Sequence, residues 1–421
     1  MNLIQICKEL YPIYRSITGN GVRESLNILQ KHVNFKIYEI PSGTKVFDWI
    51  VPEEWNINSA FVVDLSTNEV VINFNNHNLH VVGYSEPIDK VIDFNELNEH
   101  LYFNKKLPSA IPYVTSYYNK NWGFCLSFNE YLKLNRDSKY RVFIDSNFNE
   151  NGSLTYAELV IPGKSEKEIF FSSYICHPQM CNNELSGPVV LSAIAKYVSS
   201  ISSLKYTYRF VLIPETIGSI AYLSRHLPIL KKNVIAGFNL TCLGDDGSFS
   251  YIPSRNGDTL SDKIALNILT THYPNYKSYT WFDRGSDERQ YCSPGVDLPI
   301  CSITRTKYGI YPEYHTSFDD FTVISEQGLE GSVDLYKKII SVIETNCVPE
   351  INVLCEPQLG KRGLYPNIST SESGKTVRDF MNFISFCDGT KNILELSNIL
   401  KIDYFKCLDF FKELSRAKLL K

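Results

Sequence analysis

Between Tyr156 and Ile303 the chain alternates short, nearly continuous apolar runs with longer segments whose apolar residues recur every three or four positions. Apolar runs of four to eight residues bounded by turn formers read as buried strands, and the longer periodic segments read as helices. The predicted order is strand 156–161, strand 169–175, helix 187–199, strand 208–213, helix 217–230, strand 234–240, helix 260–271 and strand 299–303. Strands alternating with helices of this length predict an α/β fold, a mainly parallel sheet flanked by helices on both faces.

The flanking regions carry other textures. Residues 1–40 predict one or two amphipathic helices around the loop Ser16–Gly21, with Leu26, Leu29 and Val33 on one face. From Ile40 to Glu150, β-type runs at 61–63, 70–72, 79–82 and 140–144 alternate with Pro, Asn and Gly clusters, which predicts an inserted antiparallel β-rich domain at 41–150. The stretch Ser42–Trp55 holds two tryptophans and several carboxylates; it rims a pocket or packs its rings inward. After a Gly- and Pro-punctuated linker, 359–374, come helical patterns at 377–386, 393–400 and 404–418. This helix–turn–helix rhythm over 360–421 resembles a winged-helix domain. Asp403, Asp409 and Glu413 fall in or beside the helix that would enter a DNA groove. That acidity favours a protein-docking or packing role and leaves nucleic-acid binding through 360–421 as the lesser alternative.

Composition narrows the class. A chain of 421 residues exceeds one ordinary core, and 43% hydrophobic residues supply material for several. A formal charge of −4 offers no general attraction for polyanions. No apolar run reaches the ~18 residues of a membrane span, and the N-terminus lacks the charged and apolar regions of an export signal. Eleven scattered cysteines, an odd count, suit reduced thiols. These features predict a cytoplasmic protein with no membrane association; self-association is left open.

Candidate chemistry sits at the predicted strand ends, where ligands bind in open α/β sheets. His177 follows the strand 169–175 and precedes the turn Asn182-Asn183-Glu184. Glu215 follows the strand 208–213, placed as a general base whose pKa burial would raise. Asp287, Glu288 and Arg289 lie in the charged stretch 283–289, and Tyr311, Tyr314 and His315 in the tyrosine-rich loop 311–320.

Taken in order, His-Pro with N-x-L-S-G, P-E-T-I-G-S, G-S-D-E-R-Q-Y-x-S-P-G and Y-H-T-S-x-D-D, together with L-Y-P-I-x-R-S-I-T-G-N-G-V-R-E at 10–24, resemble the bacterial aminopeptidase-like family of polysaccharide-biosynthesis gene settings. The resemblance spans nearly the whole chain. It implies a zinc-aminopeptidase-like core (1–40 and 151–350), an inserted β-rich domain and a C-terminal winged helix. It further implies that His177 and His315 match metal-ligand histidines, that Asn183 stands where the wider zinc aminopeptidases have a bridging Asp, and that Glu215 matches the general base. Thr216 and Thr241 occupy two further ligand positions, and Asp287 matches an acid lining the pocket. Loss of those anionic ligands predicts one zinc or other divalent ion rather than two, held by His177, His315 and an oxygen from Asn183, Asp287 or Glu215. Glu184 and the thiols of Cys176 and Cys181 are further donors, but on a strand Cys176 points away from His177. The implied function is metal-dependent hydrolysis of an amide bond in a peptide or amine-bearing substrate, in surface-polysaccharide or glycoconjugate assembly. Asp287, Glu288, Arg289, Tyr311 and Tyr314 would position that substrate beneath the insertion as a lid. The alternative, which Asn183, Thr216 and Thr241 favour, is a catalytically silent binding protein whose winged helix docks a partner.

Overall fold

In chain order the strands of the two larger sheets are β1 (Lys36–Pro41), β2 (Glu54–Asp64), β3 (Glu69–Asn73), β4 (Ile88–Asp93), β5 (Lys139–Asn149), β6 (Ser153–Ile161), β7 (Ser165–Tyr174), β8 (Tyr206–Ile213), β9 (Val234–Leu240), β10 (Ser250–Ile252), β11 (Lys277–Ser278) and β12 (Ile300–Thr304). The computed structural model describes residues 1–364 and 371–421, so part of the expected linker 359–374 lies outside the described residues. The chain divides into one unit of Met1–Asp262 with Asn275–Asp334 and a second of Lys263–Pro274 with Leu335–Lys421.

The first unit is built on an eight-stranded sheet of order β1-β6-β8-β7-β9-β12-β10-β11. Its middle four strands, β8, β7, β9 and β12, run parallel. Their apolar runs are continuous because helices cover both faces of a parallel sheet. In register, Phe171 pairs with Phe210 and Phe238, and the three rings stack across the strands with centroids 5.1 and 5.4 Å apart. The same register sets Tyr174 beside Ile213 and Ser173 beside Leu240, so β7, β8 and β9 end along one edge. His177, Glu215 and Thr241 leave the sheet together there.

Helices α1 (Leu3–Leu10) and α2 (Asn20–Gln30) occupy the N-terminal segment, but its last residues form β1, which pairs antiparallel with β6. Helix α3 (Ser186–Ser199) follows β7, and α4 (Ile217–Asn233) follows β8. The start of α3 lies against the sheet edge. A Cβ on Gly187 would stand 2.4 Å from Ser173 Oγ and 2.7 Å from the Leu240 carbonyl, which leaves no room for a side chain. Gly187→Ala is therefore expected to cost about 1–3 kcal/mol in urea unfolding, the usual penalty of overpacking; an unchanged midpoint would mean that this contact yields.

Residues 54–149 form an antiparallel sheet of order β3-β2-β5-β4 over a core that includes Val62, Ile72, Tyr140 and Val142. One expected strand is absent: 79–82 forms a 3-10 turn, Asn78–His80, with isolated bridging beyond it. The His77 side chain accepts from the Leu79 amide, and His80 Nδ1 meets the Cys125 carbonyl at 2.7 Å, so local side-chain bonds displace the ladder. Trp55 is buried with its Nε1 donating to Ser85 O, whereas Trp49 is 40% exposed.

Glu54 joins the insertion to α2 through Arg23, 2.5 Å away, and accepts from the Ser153 amide at 2.9 Å. The Arg23 bond outweighs burial and holds the Glu54 carboxyl down at about 2. A depressed folded-state pKa contributes stability that is complete above the unfolded value of ~4.5 and is lost as pH falls toward 2. With screening at this partly exposed pair, acid titration of stability should lose about 1–2 kcal/mol that an Arg23→Ala variant no longer loses. Equal acid slopes in the two proteins would refute it.

In the second unit, helices α7 (Ser371–Ser385), α8 (Ile393–Leu400) and α9 (Tyr404–Arg416) form the winged-helix domain, numbered after α5 (Leu260–His272) and α6 (Glu326–Thr345). Asn392 caps α8 in a capping box, and Asp403 caps α9. Asp403 also lies 3.1 Å from His272 in an ion-pair geometry. Among the described residues no helix is long and apolar enough to cross a membrane.

Candidate active site

The chain continues past β7 with the Ile175 amide bonded to Ile213 O, then turns at Cys176 and His177. His177 is buried, and its Nδ1 lies 3.1 Å from Glu184 Oε2. Glu184 belongs to a single π-helical turn, Cys181–Leu185, whose residues are all buried, where the sequence predicts a polar turn. Its second oxygen receives Arg15 Nε at 3.2 Å, and the same nitrogen donates to His177 O at 2.9 Å. Arg15 and Glu184 both have no exposed side-chain surface. Burial alone would drive the Arg15 pKa down, and Glu184 opposes it. This ion pair compensates a charge that would otherwise be costly to bury. The Glu184 bond to Nδ1 leaves His177 Nε2 on the side of Glu215, 3.7 Å from its Oε2.

Donor atoms of Cys176, His177 and Glu184 lie within 4.8 Å of one another. Cys176 and His177 come together because both lie beyond Tyr174, where strand alternation has ended; Sγ is 3.5 Å from His177 Nδ1. Burial pushes the Cys176 thiol up to about 11, and its sulfur accepts from the Glu215 amide at 3.2 Å. Glu184 is also bound to Arg15, and both Cys176 Sγ and Glu184 Oε2 contact the Nδ1 side of His177.

Glu215 sits on a turn made rigid by strain. Thr216 has φ of 63° and ψ of −77°, while the Ile217 amide bonds back to Glu215 O. Left-handed backbone at a non-glycine residue persists only when its surroundings hold it. Asp287 Oδ1 does so, accepting from the Thr216 amide and Ser219 Oγ, both at 2.8 Å, and Arg289 donates to Thr216 Oγ1. Asp287 Oδ2 is buried without a partner among the described residues. Burial, and then the nearby Glu215 charge, push the Asp287 carboxyl up to about 7. Burial likewise raises Glu215, and His177 opposes the rise.

Asn183 is fully enclosed. Its Nδ2 donates to Tyr174 OH at 2.7 Å and its backbone amide to Asp319 Oδ2 at 2.9 Å, while Oδ1 has no partner among the described residues. Thr241 Oγ1 contacts Tyr174 OH at 2.6 Å. His315, at φ of 57°, stacks on Tyr314 with centroids 3.9 Å apart and lies 5.4 Å from the His177 ring. Its Nε2 is buried and unpartnered among the described residues. Burial, reinforced by His177, lowers its pKa to about 3, which leaves a neutral imidazole.

Three residues expected to touch substrate are placed otherwise, Asp287 being buried and holding the Thr216 turn. Glu288 is buried and accepts from the Gly285 and Ser286 amides, Asn239, Ser302 and Tyr308, so its carboxylate braces the loop. Tyr311 is buried, donates to Asp319 Oδ2 at 3.0 Å and thereby braces the π turn. Arg289 and Tyr314 retain exposed surface. Three neighbours were not identified from sequence: Arg15, Asp319 and Tyr113. Tyr113 comes from the insertion and meets His177 and His315 edge-on at 5.3 and 5.2 Å. Its signal was the tyrosine-rich run 113–118.

A family model described as a domain of unknown function (DUF4910) matches residues 4–346, and a winged helix-turn-helix model matches 347–421. A Clostridium acetobutylicum protein named as a polysaccharide biosynthesis protein with aminopeptidase-like domain is 43% identical, covering 100% of this chain and 96% of its own length. A crystal structure from Clostridium acetobutylicum, of a protein named as a peptidase, aligns with a TM-score of 0.93 at 41% identity, covering 100% of this chain and 95% of that one. A zinc aminopeptidase from Bacillus subtilis aligns with a TM-score of 0.58 at 12% identity, over 81% of this chain and 94% of its own. The last likeness shows the fold alone.

Proposed function

Because the chain belongs to the DUF4910 family and carries an aminopeptidase-like fold with a C-terminal winged helix, we propose that it is a zinc-dependent hydrolase of an amide bond in an amine-bearing substrate, acting in surface-polysaccharide or glycoconjugate assembly. The observation that carries this reading is His177 Nε2, 3.7 Å from the Glu215 carboxylate, together with Asn183 Oδ1 and His315 Nε2, which are buried and unpartnered among the described residues. Two imidazole nitrogens and one amide oxygen supply the number of protein ligands that a catalytic zinc site takes, with a neutral amide where such sites commonly have a carboxylate. The Glu184–His177 bond matches the carboxylate that orients a ligating histidine.

When bound, zinc supplies Lewis acidity and lowers the pKa of a water. Glu215 then takes a proton from the attacking water at its carboxylate and returns it to the leaving amine. Its side chain is 22% exposed, enough to reach solvent, while burial raises its basicity. The strained Thr216 peptide, held by Asp287, fixes where that carboxylate points. Arg289 and Tyr314, which retain exposed surface, would position the substrate.

The test is zinc content after equilibration and dialysis, with hydrolysis screened on aminoacyl amides and N-acyl amino sugars. About one ion per chain is expected, lost in His177→Ala and His315→Ala. Asn183→Asp should tighten zinc roughly tenfold by adding a charged ligand; unchanged affinity would show that this side chain does not bind the ion. No retained zinc and no hydrolysis would favour the silent-pocket reading, which the engagement of the Thr216 and Thr241 hydroxyls by protein partners supports.

A further inference from the structure

On the insertion side of the first unit a cleft of about 370 Å³ is lined by Tyr84, Tyr117, Tyr118, Phe148, Glu53 and Glu86. The rings are set as walls. Tyr117 and Phe148 stand at 79° and 69° to Tyr84, with centroids 5.7 and 6.0 Å from it. Tyr84 is fixed behind by stacking on Trp55 and by hydrogen bonds to Thr18 Oγ1 and Glu53 O. Tyr117 is fixed by its hydroxyl bond to Tyr113, 2.8 Å, the residue that meets both site histidines. Tyr118 is 51% exposed at the mouth.

The carboxylates of Glu53 and Glu86 have no hydrogen-bond or ion-pair partner among the described residues, and neither does the single cationic lining group, Lys120. Lys120 lies over none of the lining rings. Electron-rich ring faces combined with unneutralised carboxylates attract organic cations, through the ring quadrupole and by charge. A cavity of this size falls within the range of small-molecule sites.

We propose that this cleft is a binding site for an organic ammonium group, separate from the candidate zinc donors. The rings enclose the cation, Glu53 and Glu86 neutralise it, and the Tyr117–Tyr113 contact joins the site to the histidine centre. Occupancy needs neither zinc nor turnover, so it stands or falls apart from the hydrolase reading.

The experiment titrates the full chain, treated with chelator, with tetramethylammonium chloride at constant ionic strength. Tryptophan fluorescence reports binding, because Trp49 lies against Tyr118 and Trp55 against Tyr84. The neutral, similarly shaped tert-butanol serves as control. A saturable change with the cation alone is expected, with affinity reduced about three- to tenfold in Tyr118→Ala and in Glu86→Gln. Both side chains lie at the mouth, and circular dichroism verifies that the variants fold. No saturable response, an equal response to tert-butanol, or full affinity retained in both variants would overturn the proposal.

Discussion

Glu215→Gln is expected to lower turnover by about 100- to 10,000-fold, the usual share of a positioned general base, while leaving zinc content and unfolding midpoint unchanged. The substitution keeps the shape of the side chain and removes only its ability to hold a proton in transit. The elements that place it are backbone: the Glu215 amide on Cys176 Sγ, and the Thr216 peptide held by Asp287. Neither changes with the amide. Turnover measured on whichever amide substrate the screen yields, beside metal analysis of the same preparation, separates the outcomes. An active variant removes Glu215 from the proton path; an inactive one without zinc makes it a ligand instead.

Arg15→Met is expected to destabilise the protein by about 3–5 kcal/mol, because it leaves Glu184 as a buried, uncompensated charge. Arg15 Nη1 also donates to Leu10 O at 2.7 Å, so the turn after α1 loses its anchor as well. Urea unfolding of Arg15→Met, Glu184→Gln and the double variant forms a cycle. The double variant should recover about 2 kcal/mol or more of the Arg15→Met loss, since it no longer buries a charge. A loss below about 1 kcal/mol for Arg15→Met would mean that Glu184 does not carry its charge in the folded state.

The strands that carry the centre were legible because a parallel sheet buried on both faces writes itself as unbroken apolar runs, and 234–240 is recovered residue for residue. His177 and Glu215 were legible for the same reason: each follows such a run directly. Their support was not. Arg15 and Glu184 are 169 positions apart, and a buried ion pair leaves no periodic trace. The stretch 182–184 is polar and reads as a turn, and its burial is not written in it: its amides and carbonyls are satisfied inside by Asp319, Tyr174 and Ser186. Glu288 misleads similarly: charged neighbours suggest solvent, whereas five protein donors surround it. At 79–82 the apolar residues suggest a strand, and His77 and His80 redirect the backbone.

The attachment of Tyr113 also bears on the order in which the centre assembles. The Tyr113 amide bonds His315 O at 2.9 Å, the Ser317 amide bonds Ile111 O at 2.8 Å, and the Ile111 amide bonds Ser317 Oγ across 206 positions of sequence. A ribbon closed over that span pays its loop entropy before it gains contact energy. The segment that carries His315 is thus tied to the insertion by three hydrogen bonds, so the place of the second histidine depends on contacts with the insertion. A shortened chain lacking 41–150 would keep the parallel sheet's sequence and lose the geometry of its second histidine.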